Sequence, residues 1–138
     1  MAMSGIIFKQ KRYLIPFGIF VLISMILCFY LTYNLIQSDK TLQEIIISLK
    51  SENLNKLTDL ACDEGFSGLQ GSKNQRAINL KDKIKNKVDL KYEVKDRLPY
   101  LNVFLLDKTS DLKMDKYVAY IVISFQSNNN NFCFGEGF

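Results

Sequence analysis

The feature that most constrains this chain is an uncharged, apolar run from Tyr13 to Tyr33. A helix of about 20 such residues spans roughly 30 Å, the thickness of a bilayer core, and satisfies its own backbone hydrogen bonds. Burying every face of this run inside a soluble protein would require a large core, and the rest of the 138-residue chain is too short and too polar to supply one. The run therefore predicts a transmembrane helix, which we assign to residues 13–36.

A short tail, residues 1–12, precedes the apolar run and carries Lys9, Lys11 and Arg12. Positive charge beside a membrane span favours the cytoplasmic side. We therefore expect a single-pass membrane protein with a cytoplasmic tail and with residues 37–138 outside the cytoplasm, in the periplasm or at the cell surface. A cleaved signal peptide has a similar start. However, the run is long for a signal peptide and no small-residue cleavage motif follows it, which favours an uncleaved signal anchor.

Residues 37–60 are predicted to form a membrane-proximal amphipathic helix, which continues the membrane helix. Apolar residues and one asparagine recur at helical spacing, and the charged residues lie largely off this stripe. Such a stripe either packs on its own domain or forms a short coiled-coil seam with a partner, with the asparagine inside it. The candidates for partner binding are Leu42, Ile46, Leu49, Asn53 and Leu57.

Residues 61–138 are expected to form a small extracytoplasmic α+β domain. Its first part is a glycine-rich loop, residues 61–72, which is followed by a basic helix predicted over Lys73–Lys87. The positive charges of this helix are a candidate contact site, because a tethered domain is held near lipid headgroups and neighbouring proteins. A solvated face is the other interpretation of these charges. The candidates for contact with anionic lipid or an acidic partner are Lys81, Lys83, Lys85 and Lys87.

The second part of this domain is predicted to consist of β-strands. Apolar and polar residues alternate over Val88–Lys95, as in a strand with one buried face. Tyr100–Leu106 and Tyr117–Phe125 are rich in β-branched and aromatic residues, and a short apolar segment, Phe132–Phe134, follows an asparagine-rich turn. Short links between consecutive strands predict a small antiparallel β-meander, with one face covered by helices.

The three cysteines divide between the two parts of the chain. Cys28 lies in the apolar run, where it is most simply a small packing residue. Cys62 and Cys133 both lie in the predicted outer domain and are candidates for a disulfide if the compartment is oxidising; two free thiols are the alternative. The spacing of the cysteines fits no metal motif, so we predict no metal and no cofactor.

Charge and composition narrow the class of function. The net charge is +4, and three of the 18 basic residues lie in the tail, so the outer domain is nearly neutral. A nucleic-acid-binding domain is usually strongly basic, so nucleic acid is not an expected partner. The chain has no histidine, the commonest general base and metal ligand. These observations favour a protein that is not an enzyme.

The expected function is that of a structural or assembly subunit in a larger membrane or envelope complex. Its partners would be membrane lipid and other membrane protein subunits, and association with copies of itself stays open. A small ligand-sensing ectodomain that signals through a partner is one alternative.

The other alternative comes from the layout of the chain. An apolar helix that runs into an amphipathic helix, a loop, a meander and a late cysteine resembles the type IV pilins, and this resemblance implies a filament subunit. Pilins have a basic leader ending in glycine, then an apolar segment with glutamate at its fifth position. Here Gly5 is followed by Ile6, Ile7, Phe8, Lys9 and Gln10, so the N-terminus would be atypical.

Overall fold

The protein is described by a computed structural model that covers residues 3–63, 71–85, 90–107, 116–126 and 130–137. The predictions for most of the 61–72 loop, for Lys87 and for the turn beginning at Asn128 lie outside these residues. The chain divides into two compact units, residues 1–36 and 37–138. Helix α1 (Met3–Lys50) begins in the first unit and ends in the second.

The first unit contains the apolar part of α1. Its large apolar side chains, from Leu14 to Ile36, are mostly exposed. The hydroxyl groups of Ser24 and Thr32 donate to main-chain carbonyls one turn back, at 2.9 and 2.8 Å, so the helix satisfies them internally. Among the described residues, α1 is the one helix that is long and apolar enough to cross a membrane, judged by length and composition.

Helix α1 is terminated by a residue in the left-handed backbone conformation. Glu52 has a φ of 54°. Its N–H donates to the carbonyl of Leu49 at 3.3 Å, and the N–H of Asn53 donates to that of Ser48 at 3.0 Å. These two bonds are those of a Schellman motif, which satisfies the last carbonyls of a helix. The predicted helix over residues 37–60 is therefore interrupted after Lys50.

Asn53 then starts a second helix, α2 (Leu54–Leu60). Its side-chain oxygen accepts a hydrogen bond from the N–H of Lys56 at 3.1 Å, which satisfies one of the free donors at the helix start. The prediction of one continuous stripe through Asn53 is wrong. The physical reason is that a short amide side chain bonds to nearby backbone and therefore favours helix ends over helix interiors.

The third helix, α3 (Lys73–Ile84), agrees with the predicted basic helix as far as Ile84. Gly71, with a φ of 86°, precedes it, and the Ser72 hydroxyl oxygen accepts a hydrogen bond from the N–H of Gln75 at 3.2 Å. This cap fixes where the helix begins. Lys81 and Lys83 lie in its last turn, where positive charge interacts favourably with the helix dipole.

The predicted antiparallel meander is confirmed. Within the described residues, four strands follow one another in sequence order across a single open sheet, and each pairs antiparallel with the next. They are β1 (Leu90–Asp96), β2 (Leu101–Asp107), β3 (Lys116–Gln126) and β4 (Asn131–Gly137).

One face of this sheet forms the core of the second unit. Alternate residues of β2 and β3 are buried, as the two-residue period of a strand requires. They cluster with apolar side chains of α1, α2 and α3, so these helices cover this face. The fold is therefore α+β, as predicted. The strand residues in the core are Leu101, Val103, Leu105, Ala119, Ile121, Ile123 and Phe134.

Candidate interaction surface

The predicted partner-binding stripe lies largely in this core. Leu42, Ile46, Leu49 and Leu57 are all buried there, while Asn53 is exposed and caps α2. The structure thus shows the first alternative for these four side chains, packing on their own domain. Contact with a partner through this stripe stays a prediction, and it would require the four side chains to leave the core.

Cys62 and Cys133 lie at disulfide distance, with their Cα atoms 4.8 Å apart and 71 positions apart in sequence. The preceding residue, Ala61, forms a parallel bridge with Phe134, and the N–H of Cys62 donates to the Phe134 carbonyl at 3.0 Å. The short segment after α2 therefore adds to the outer edge of β4. The structure thus shows the disulfide pair, one of the two alternatives that the sequence left open, and the bond links this segment covalently to the last strand.

Arg76 of α3 holds the same segment from the other side. Its side chain is 3 % exposed; one terminal nitrogen donates to the Cys62 carbonyl, and the other donates to the Gly71 carbonyl at 2.9 Å. Its Nε has no hydrogen-bond partner among the described residues. Sequence reasoning counted Arg76 among the charges of the basic helix and did not single it out. The signal it missed is that Arg76 precedes Ala77 and stands four positions before Leu80, on the buried face of the helix.

Polar groups of β3 and α3 meet the segment at Asp63. The Gln126 amide, which is buried, donates to the Asp63 carboxylate, and the Asp63 N–H donates to the Gln126 side-chain oxygen at 3.4 Å. Lys73 forms an ion pair with the same carboxylate at 2.9 Å. Together with Arg76, these contacts satisfy polar groups and fix backbone. We therefore assign this cluster a structural role.

Lys81, Lys83 and Lys85 of the predicted basic site are described by the structure, and their surroundings differ. Lys81 lies 4.0 Å from the carboxylate of Glu52, and Lys83 and Lys85 are exposed at the end of α3. Lys87 is outside the described residues. Contact of these lysines with anionic lipid or an acidic partner stays a prediction.

The sheet face opposite the core carries a cluster of aromatic side chains. We call Phe104, Tyr117 and Tyr120 the aromatic surface. The Phe104 ring centroid lies 4.5 Å from that of Tyr117 and 4.8 Å from that of Tyr120. Phe104 stands between Val103 and Leu105, which both point into the core, so strand alternation places it on the other face. A register shift after Leu105 brings Tyr117 onto this face as well.

Within the described residues, the three side chains of the aromatic surface differ in exposure. On β4, Gly137 pairs with Tyr120. On β1, the Lys95 ammonium group lies 5.6 Å from the Phe104 ring centroid, a cation–π contact. Tyr117 is 56 % exposed. Phe104 and Tyr120 are half-buried. Aromatic side chains are enriched among the central residues of protein–protein interfaces.

Sequence reasoning did not identify the aromatic surface, although the sequence contains part of the pattern that indicates it. The period of two in β2 separates Phe104 from the buried residues on either side of it. The bulge that brings Tyr117 beside it has no comparable signature in the sequence.

The described residues contain no group of three or more aspartate, glutamate or cysteine side chains placed to hold a metal ion. Their arrangement is that of an α+β domain with a helix-covered face, an aromatic face and an N-terminal apolar helix. A scan against protein-family models finds no match, and searches of curated proteins and of solved structures find no similar protein.

Proposed function

We propose that this chain is a non-enzymatic, membrane-anchored structural or assembly subunit that binds another protein subunit through its aromatic surface. The observation that carries the proposal is the position of Phe104, Tyr117 and Tyr120 on the sheet face that the helices leave free. Aromatic side chains bury a large area at low conformational cost, and tyrosine is enriched among residues that dominate binding energy.

The anchor and the orientation are part of the proposal. The apolar part of α1 supports a membrane span by its length and composition. Lys9, Lys11 and Arg12 favour a cytoplasmic N-terminus. The bond between Cys62 and Cys133 supports a second unit in an oxidising compartment, since disulfides persist there and are rare in the cytoplasm.

Photo-crosslinking tests the surface. A photoreactive phenylalanine analogue at position 117, in the chain expressed in its native membrane, should crosslink to a partner protein. Position 92 is a matched control, because Tyr92 is also exposed, at 40 %, but lies on the face that carries Val94 and pairs with Leu105. Crosslinks of equal yield from both positions, or from neither, would contradict the aromatic surface as the binding site.

A fusion experiment tests the orientation. A reporter that is active only outside the cytoplasm should work when it is fused after Phe138 and fail when it is fused before Met1. Replacing Leu22 by arginine should reduce insertion, because a charged side chain near the centre of a span costs about 3 kcal/mol on the insertion scale. The reverse pattern of reporter activity would overturn the orientation.

A filament subunit of the pilin type is the second candidate. The observation that favours it is the order of elements within residues 37–138: the end of α1 packs in the core of a four-stranded meander whose last strand carries the disulfide. N-terminal sequencing of the native protein separates the two candidates. A chain that begins at Ile6 supports processing after Gly5, and crosslinks from position 117 to copies of itself would support a filament. The ligand-sensing alternative stays a prediction.

A further inference from the structure

The loop between β1 and β2 exposes three consecutive apolar residues. Leu98 is 53 % exposed, Tyr100 is 49 % exposed, and Pro99 between them is exposed as well. The strand that follows behaves differently, because Leu101 and Val103 are buried in the core. An exposed apolar cluster on a small domain indicates contact with something other than water.

Arg97, the residue that precedes this loop, contacts α1. Its guanidinium group contacts both carboxylate oxygens of Asp39, each at 2.8 Å. Asp39 follows Ile36, the last residue of the predicted span, by three residues. Three residues reach at most about 11 Å even when fully extended. Asp39 therefore lies close to the membrane surface whatever the orientation of the two units, provided that the span is inserted.

A second contact defines the direction in which β1 runs. The side-chain amide of Gln43 donates to the Tyr92 hydroxyl at 3.0 Å. Along β1, Tyr92 meets α1 at position 43, and Arg97 meets it at position 39. The strand therefore advances towards lower numbers of α1, that is, towards the end of the predicted span. Leu98–Tyr100 follow Arg97 directly in the chain, so they lie within about 11 Å of it.

We propose that Leu98, Pro99 and Tyr100 form a second membrane contact, which inserts into the interfacial layer of the bilayer beside the point where the chain leaves it. This inference rests on the membrane anchor of the proposed function. Tyrosine is enriched at this depth because its ring is apolar and its hydroxyl stays hydrated.

Single tryptophan reporters test the inference, because the chain has no native tryptophan. Three variants of the whole chain, Tyr100→Trp, Tyr117→Trp and Phe20→Trp, are reconstituted in phosphatidylcholine–phosphatidylglycerol vesicles with or without brominated acyl chains. Tyr117 is the matched control: it is similarly exposed, but it pairs with Leu106, five residues or about 17 Å along β2 from the loop end. Phe20 reports on insertion of the span itself.

Brominated lipid should quench tryptophan emission at positions 20 and 100 and leave position 117 unchanged. Quenching at position 20 without quenching at position 100 overturns the inference but leaves the anchor intact, and the apolar loop is then a surface for a protein partner. Equal quenching at positions 100 and 117 also overturns it, because the contact is then not specific to the loop. No quenching at position 20 removes the anchor and the inference with it. Alkylation of each variant unfolded without reduction, labelling Cys28 alone, verifies that the disulfide has formed.

Discussion

Arg76 donates a hydrogen bond from its buried guanidinium group to the main-chain carbonyl of Cys62, the residue that the disulfide joins to Cys133. Helix α3 and strand β4 are thereby attached to the same short segment after α2. The first attachment is a charge-assisted hydrogen bond and the second is covalent. This segment is consequently the point at which the helical part of the domain and the free end of the meander are joined.

The first prediction concerns Arg76. Arg76→Ala removes the charged donor from two carbonyls and leaves a cavity where the stem was packed. We expect the free energy of unfolding to fall by about 3 kcal/mol. Denaturant unfolding of the whole chain in mild detergent, followed by near-ultraviolet circular dichroism, measures this loss.

Two further variants serve as controls for Arg76. Arg76→Met keeps most of the stem volume, so the difference between the two variants separates packing from hydrogen bonding. Lys81→Ala removes a partly exposed cation of the same helix, 4.0 Å from its carboxylate partner, and should change the stability by less than about 1 kcal/mol. If Arg76→Ala and Lys81→Ala unfold at the same denaturant concentration, Arg76 does not hold the segment.

The second prediction concerns the disulfide. Closing a loop of 71 positions stabilises the folded domain by about 4 kcal/mol on the chain-entropy model, a large share of the stability of a domain this small. The variants Cys62→Ser and Cys133→Ser should each lose nearly the whole amount, because one cysteine cannot form the bond alone. The double variant should melt at nearly the same temperature as either single variant.

Cys28 supplies the control for the disulfide. It is the free cysteine and is exposed on the apolar part of α1, so Cys28→Ser should leave the melting of the second unit unchanged. Alkylation of the unfolded, unreduced chain should label Cys28 and neither of the other two. Labelling of all three thiols would contradict the disulfide and weaken the extracytoplasmic assignment.

The strands and their order could be predicted because their signals are local. The alternation in β1 and the β-branched and aromatic residues of β2 and β3 are visible in the sequence, and short links between consecutive strands favour a meander. The apolar run before residue 37 is equally plain. The cysteine pairing could only be listed as an alternative, since sequence gives no distance between Cys62 and Cys133.

The remaining features of the fold and of the candidate site depend on tertiary packing. The break after Lys50 was missed because leucines on both sides of it keep nearly helical spacing, while the capping role of Asn53 depends on a left-handed Glu52. Arg76 was missed because long cationic side chains are almost always solvated. The aromatic surface needed the strand register, which a sequence pattern alone does not give, since one shifted residue moves a side chain to the other face.

The third prediction tests whether the stripe on α1 belongs to the core. Leu49→Asp places an unpaired charge in the apolar cluster and should unfold the domain or lower its stability by several kcal/mol, with about 3 kcal/mol from the lost leucine alone. Lys50→Asp, one position further on, changes an exposed residue and should have little effect. Thermal unfolding of both variants in detergent provides the comparison. Equal melting temperatures would mean that the helical phase is wrong.

The last prediction concerns Glu52, whose φ of 54° lies in the left-handed region. A residue with a Cβ is strained there by roughly 1 kcal/mol or more, and glycine is not. Glu52→Gly should therefore raise the free energy of unfolding by up to about 1 kcal/mol, because greater unfolded-state entropy offsets part of the relief. The ion pair with Lys81 is too long and too exposed, at 4.0 Å and 80 %, to mask this gain. Ser51→Gly, at a neighbouring residue without a positive φ, should instead lower stability, so equal shifts in the denaturation midpoints of the two variants would contradict the Schellman closure of α1.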